Sequence, residues 1–244
     1  MRSAVHAVRL LLGDLAKLFA PDRTRSWFLL FAMLVLQAGF WYMATPGPTL
    51  LRFATKDPIT AGSAVGWSLI FLLLIPAIIY RLVVGRLDGA GLTWGDAKFG
   101  LSAVLGLSVV AVPLIILSSS DQSLALAYPW PGLWAGESAV TLLVWAGAYF
   151  LYYVSFEAFY RGFVLNTAAR AVGVPAALWL QTIMATLIHL GKPLPELLAA
   201  APASLLFGVL ALRSRSILYP ALLHLVIGLT LDITLLARAG ALNW

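Results

Sequence analysis

The chain has 244 residues, of which 61% are hydrophobic and 11% charged, with a net charge of +6 and no cysteine. A soluble domain carries about 25% charged residues, so there is too little polar surface here to cover a water-facing globule. The missing cysteine excludes disulfides and thiolate chemistry. The basic residues sit at the ends of apolar runs rather than in a patch, which excludes nucleic acid as a partner.

Residues 1–26 form a basic N-terminal segment. Arg2, Arg9 and Lys17 interleave with Val5, Val8, Leu11, Leu12, Leu15 and Leu18, the pattern of an interfacial amphipathic helix. A simple basic tail is the alternative. Residues 27–244 read as a single membrane domain. The first apolar run lacks a small-x-small cleavage site and is expected to be a retained span. Several apolar runs reach the ~20 residues a span needs. Together they predict an all-α, polytopic bundle of about seven spans, over 27–43, 64–84, 100–117, 139–170, 174–190, 196–212 and 216–236. The fourth is too long for the hydrocarbon alone and should tilt or protrude.

Lysine and arginine set the expected orientation. With the N-terminus cytoplasmic, the other side holds only Arg52, Lys56, Lys192 and Arg238. The expected location is a bacterial inner membrane. The 118–136 loop has no basic residue and carries Tyr128, Trp130 and Trp134, which suits an outer interfacial belt. Lys192 reads as an interfacial anchor.

Ionisable groups within spans are costly and are functional candidates by default. Glu157 and Arg161 are four apart and share a helix face. His189 follows Gln181, Thr182, Ala185 and Thr186, small or polar residues that suit a packed or wet interior. Glycine and proline at Gly173 and Pro175 mark a tight turn between the fourth and fifth spans. At ~1.5 Å per residue, Glu157 and His189 both lie roughly 20 Å from that turn. The Arg213–Ser216 turn places His224 roughly 12 Å deep and Asp232 roughly 24 Å deep, with Arg161 near 13 Å. His224 and Asp232 are about 80° off a common helix face, so they could line one cavity without touching.

The segments Phe156–Phe163, Leu187–Glu196 and Gly208–His224, in this order and at these spacings, resemble the CAAX-protease and bacteriocin-processing (CPBP/ABI) family of intramembrane endopeptidases. The resemblance covers about residues 140–236, and it places the catalytic core at 139–236. Gly91–Asp96 resembles the family's short amphipathic connector. The family's usual first motif has two adjacent glutamates; here the first position is Phe156 and only Glu157 remains. Ala185 stands where phenylalanine is usual, and Gly228 where asparagine or aspartate is usual. The chain resembles a single-glutamate branch with a Gly-Lys-Pro-x-Pro-Glu segment.

Peptide hydrolysis needs an activated water, a polarised carbonyl and a proton donor for the leaving amine. Glu157 is the candidate base, with His189, His224 and Asp232 as catalytic partners. Arg161 is expected to act electrostatically, since guanidinium stays protonated. Glu196 is a substrate-binding or electrostatic candidate, or an acid at a helix N-terminus. A metal-free mechanism with no cofactor is favoured. A zinc reading would use His189, His224 and Glu157, but the His-Glu-x-x-His spacing is absent. The expected function is an intramembrane endopeptidase acting on a membrane-associated protein or peptide. The alternatives are an inactive immunity or scaffold protein, favoured by Phe156 and Gly228, and a small transporter.

Overall fold

The computed structural model describes residues 21–44, 56–87, 90–242 and 244. The expected interfacial helix at 2–20 lies outside the described residues, as does Arg52. Eight α-helices carry the fold among the described residues. They are α1 (Pro21–Met43), α2 (Pro58–Val84), α3 (Ala97–Ser118), α4 (Gln122–Ala127), α5 (Ala139–Val172), α6 (Val174–Leu187), α7 (Leu194–Ser214) and α8 (Leu218–Arg238). A short 3₁₀ turn, Gly132–Gly136, precedes α5.

Six of these helices are long and apolar enough to cross a membrane: α1, α2, α3, α5, α7 and α8. The protein is therefore an integral membrane protein with an all-helical bundle. The seventh apolar segment, α6, has 14 residues, or about 21 Å at 1.5 Å per residue. It stops short of a ~30 Å hydrocarbon core. The 34-residue α5 is the longest span.

Helix ends follow the local chemistry. Outside the spans, Asp57, Asp96 and Asp121 cap α2, α3 and α4 by accepting backbone N–H bonds, which satisfies donors that have no partner within the helix. The Ser138 and Thr141 side chains cap α5 reciprocally. Gly173, at φ 83°, separates α5 from α6, with Pro175 in the first turn of α6. That turn is where the sequence places it.

Two helices contain π-helical stretches, Leu69–Leu74 in α2 and Ala158–Val164 in α5. Such stretches concentrate at functional sites. The one in α5 holds Arg161 and Gly162, and every residue in it is buried. A Cβ at Gly162 would lie 2.5 Å from the Ala90 carbonyl oxygen, so glycine lets this part of α5 approach the α2–α3 connector.

That connector clamps the α7–α8 turn. Asp96 N–H donates to Ser214 O at 2.7 Å, and Ile217 N–H donates to Gly91 O at 3.0 Å. Thr93 Oγ1 donates to Arg215 O, and Tyr219 OH donates to Trp94 O at 2.6 Å. Arg213 pairs with Asp96 at 2.9 Å. The Phe99 N–H and then the Arg213 guanidinium hold the Asp96 carboxyl below the usual aspartate range. Its stabilising effect is complete above ~pH 4 and is lost as pH falls through the lowered value.

The helix α3 packs closely on α8 at Gly100, where a Cβ would meet the Tyr219 ring at 2.3 Å. At Gly106, in the same helix, nothing lies within 4 Å. Gly100→Ala is therefore expected to destabilise by about 1–3 kcal/mol through overpacking. Gly106→Ala should be neutral or stabilising by up to about 1 kcal/mol. Thermal midpoints of the two purified variants check this; equal midpoints would refute the close approach.

Candidate active site

Glu157 is fully buried at 0% exposure, and Arg161 is at 2%. Such charges persist in an apolar interior only when paired. Glu157 has two partners. Its Oε1 lies 2.8 Å from His224 Nδ1, and its Oε2 lies 3.1 Å from Arg161 Nε. The Arg161 contact is an ion pair whose angle falls short of a hydrogen bond. Arg161 Nη2 donates to the Ser204 carbonyl of α7 at 3.3 Å, while Nη1 has no partner. The guanidinium carbon lies 5.4–5.9 Å from the Phe156, Tyr160 and Phe207 ring centroids, within cation–π range.

The His224 Nδ1 contact with a carboxylate defines it as the donor in the neutral ring, leaving Nε2 for the cavity that His224 lines. The ring stacks on Tyr153, with centroids 4.1 Å apart. A Cβ at Gly228 would lie 2.3 Å from the Tyr153 hydroxyl and 2.8 Å from Tyr149. Tyrosines of α5 therefore fill the space that a side chain at position 228 would need. Neither Tyr153 nor Tyr149 was singled out from the sequence. Their recurrence within Tyr149-Phe-Leu-Tyr-Tyr153 was the available signal.

A second cluster faces the same cavity. His189 sits in the turn after α6, where its Nδ1 contacts Ala185 O at 2.7 Å. Its Nε2 is 3.7 Å from Glu196 Oε1. Lys192 Nζ reaches the same oxygen at 2.6 Å, and Tyr128 OH donates to Glu196 Oε2 at 2.7 Å. Burial, and then the Glu196 charge, push the Tyr128 phenol well above its usual range, so it remains a donor. Glu196 lies in the first turn of α7, as the sequence places it.

Two expectations are corrected here. Lys192 is not an interfacial anchor: its side chain is 8% exposed and paired with Glu196. Tyr128 and Trp130 do not form an outer belt. Both are buried, and Trp130 packs on Trp145, Tyr149 and Tyr152. The Tyr128 hydroxyl finds its partner inside, on Glu196, which lets the ring bury its apolar area.

The cavity between the clusters has a volume of about 160 Å³ and is lined by Arg161, His189, Glu196, His224, Tyr128 and Phe156, among apolar residues of α7 and α8. A water needs ~10–15 Å³ of such space, so several fit. Phe156 stands between the histidines, 6.0 Å from the His189 ring and 5.4 Å from the His224 ring. Asp232 does not line this cavity. It is 0% exposed, and its Oδ2 accepts from Trp145 Nε1 at 2.8 Å.

Among the described residues, no three His, Asp or Glu side chains converge as a metal-ligand group. The set His189, His224 and Glu157 is instead divided between two carboxylate–histidine pairs.

Replacing Gly228 with asparagine is expected to displace Tyr153 from His224. Gly228→Asn should lower the thermal midpoint, and Gly228→Asn/Tyr153→Ala should recover part of the loss. A double variant no more stable than the single one would refute this packing.

No curated protein and no solved structure matches the chain. Residues 138–230, which carry Glu157, Arg161, His189, Glu196 and His224, match the Rce1-like family model, described as Type II CAAX prenyl endopeptidase Rce1-like, and this segment of the chain is similar to those endopeptidases.

Proposed function

We propose that the protein is an intramembrane endopeptidase that hydrolyses a peptide bond of a membrane-associated protein or peptide. The observation that carries this reading is the pair of carboxylate–histidine clusters facing one apolar cavity within the segment that matches the endopeptidase family.

The chemistry follows from which atoms are committed. Glu157 is fully buried and does not line the cavity, so His224 stands between it and any water there. His224 Nε2 takes a proton as the water oxygen bonds to the scissile carbonyl carbon. Glu157 stabilises the imidazolium that forms, as a buried carboxylate does for a histidine base. The unpartnered Arg161 Nη1 is the donor available to the developing oxyanion. His224 then passes its proton to the leaving nitrogen as the C–N bond breaks. His189, held by Ala185 O and beside Glu196, orients the water. Asp232 supports the site indirectly, through Trp145 on α5.

Arg23, Arg25, Arg81, Arg86, Lys98, Arg170, Arg213 and Arg215 fall at one end of the bundle by connectivity. We place that end in the cytoplasm.

A competing reading is an inactive scaffold or immunity protein, favoured by Phe156 in the position between the histidines. The test uses purified protein in proteoliposomes with a panel of prenylated C-terminal peptides and membrane-anchored peptide precursors. Wild type should cleave at least one member of the panel. Glu157→Gln, His224→Ala and His189→Ala should each lose about 10²–10⁴-fold in kcat/KM, with folding checked by thermal midpoint. Cleavage unchanged in folded Glu157→Gln and His189→Ala would refute the catalytic assignment, and no cleavage by wild type would favour the scaffold.

The metal question has its own readout. Chelator treatment is expected to leave the cleavage rate unchanged. A rate that falls with chelator and returns with added zinc would overturn the metal-free mechanism.

A further inference from the structure

A second cavity, about 350 Å³, opens at the arginine-rich end of the bundle, with none of the hydrolytic-site residues in its lining. Arg23 and Arg25 reach it from the first turns of α1, and Arg170 from the last turn of α5. Val83 and Val84, at the end of α2, supply an apolar wall. Among the residues whose side chains the structure describes, those lining it include no carboxylate. Thr167, one turn before Arg170, also lines it; this residue is 1% exposed, and its hydroxyl has no hydrogen-bond partner. A buried hydroxyl without a partner is unfavourable, so an acceptor in the cavity would relieve it.

These features converge on one kind of ligand. Guanidinium groups on separate helices can chelate a phosphate through paired N–H bonds. The hydroxyl adds a neutral donor, and the valines offer an apolar surface beside the charge. The cavity sits where helices end, the level at which lipid headgroups lie. Basic pockets between spanning helices at the cytoplasmic face recognise phosphate-bearing headgroups.

We propose that this cavity is a binding site for the phosphate of an anionic lipid headgroup. The lipid ties the start of α1 to the end of α5, the helix that carries Glu157 and Arg161. The Arg170 guanidinium already lies 5.8 Å from the Tyr80 ring of α2, so the same site couples three helices.

The test uses the purified full chain in mild detergent, titrated separately with phosphatidylglycerol, phosphatidylcholine or inorganic phosphate. Bound lipid is read by native mass spectrometry, and the thermal midpoint is followed in parallel. Phosphatidylglycerol should bind and raise the midpoint, while phosphatidylcholine should do neither. Each arginine removed should weaken phosphatidylglycerol binding about fivefold, which Arg23→Gln/Arg25→Gln tests on exposed side chains. Arg170→Gln disturbs the Tyr80 contact, so Thr167→Val provides the independent variant. It should weaken binding severalfold without lowering the lipid-free midpoint. Lys98→Gln, at the same end but outside the cavity, should bind as wild type. Equal binding by wild type and the arginine variants would overturn the site. Equal loss in Lys98→Gln would reduce it to general surface charge. A matching midpoint shift with inorganic phosphate would make it a phosphate-ion site and overturn the lipid assignment.

Discussion

A guanidinium buried at the centre of an apolar bundle constrains everything around it. Arg161 cannot lose its charge at any ordinary pH, so its neighbours must compensate. They come from different elements: Glu157 on its own helix, the Ser204 carbonyl on α7, and the faces of Phe156, Tyr160 and Phe207. Breaking a buried pair by removing one partner costs about 3–5 kcal/mol. The paired arginine ties α5 to α7 through its bond from Nη2 to Ser204 O. Through the second oxygen of Glu157, it also fixes where α8 presents His224.

The same arrangement explains why a glutamate can be present without touching water. Both Glu157 oxygens are committed, and the side chain is sealed from the cavity. The histidine inherits the exposed role, as in other sites where a buried carboxylate orients an imidazole. The second cluster follows a different logic. Glu196 keeps 21% of its side chain exposed and gathers Lys192 and Tyr128, while His189 stands beside it. Phe156 separates the two clusters with a hydrocarbon ring, which keeps the intervening volume apolar.

Six of the seven expected spans and the turns were legible in the sequence, because length, hydropathy and Gly-Pro punctuation determine them, whereas the depth arithmetic placed Glu157 level with His189 and the structure bonds it to His224. The turn at Gly173 and the pairing of Glu157 with Arg161 follow directly from such rules. Helix rotation was not legible, since it depends on packing between distant segments. That is why Asp232 turned toward Trp145; Tyr128 and Lys192 lie outside the helices, and their connecting segments bring them inward onto Glu196. The division of the four site residues into two pairs has the same origin. The π-helical stretch shifts the phase of α5 just where Arg161 lies, and a 3.6-residue wheel drawn on the sequence does not contain that shift.

The brevity of α6 has a consequence for how solvent meets the hydrocarbon. A helix of 14 residues leaves about 9 Å of a ~30 Å core to be crossed by other means. The Ile188–Pro193 turn occupies that interval, and it carries His189 and Lys192. Lipid beside a short helix thins to meet it, so the distance between bulk water and the cavity is set locally by this helix and not by the thickness of the surrounding bilayer.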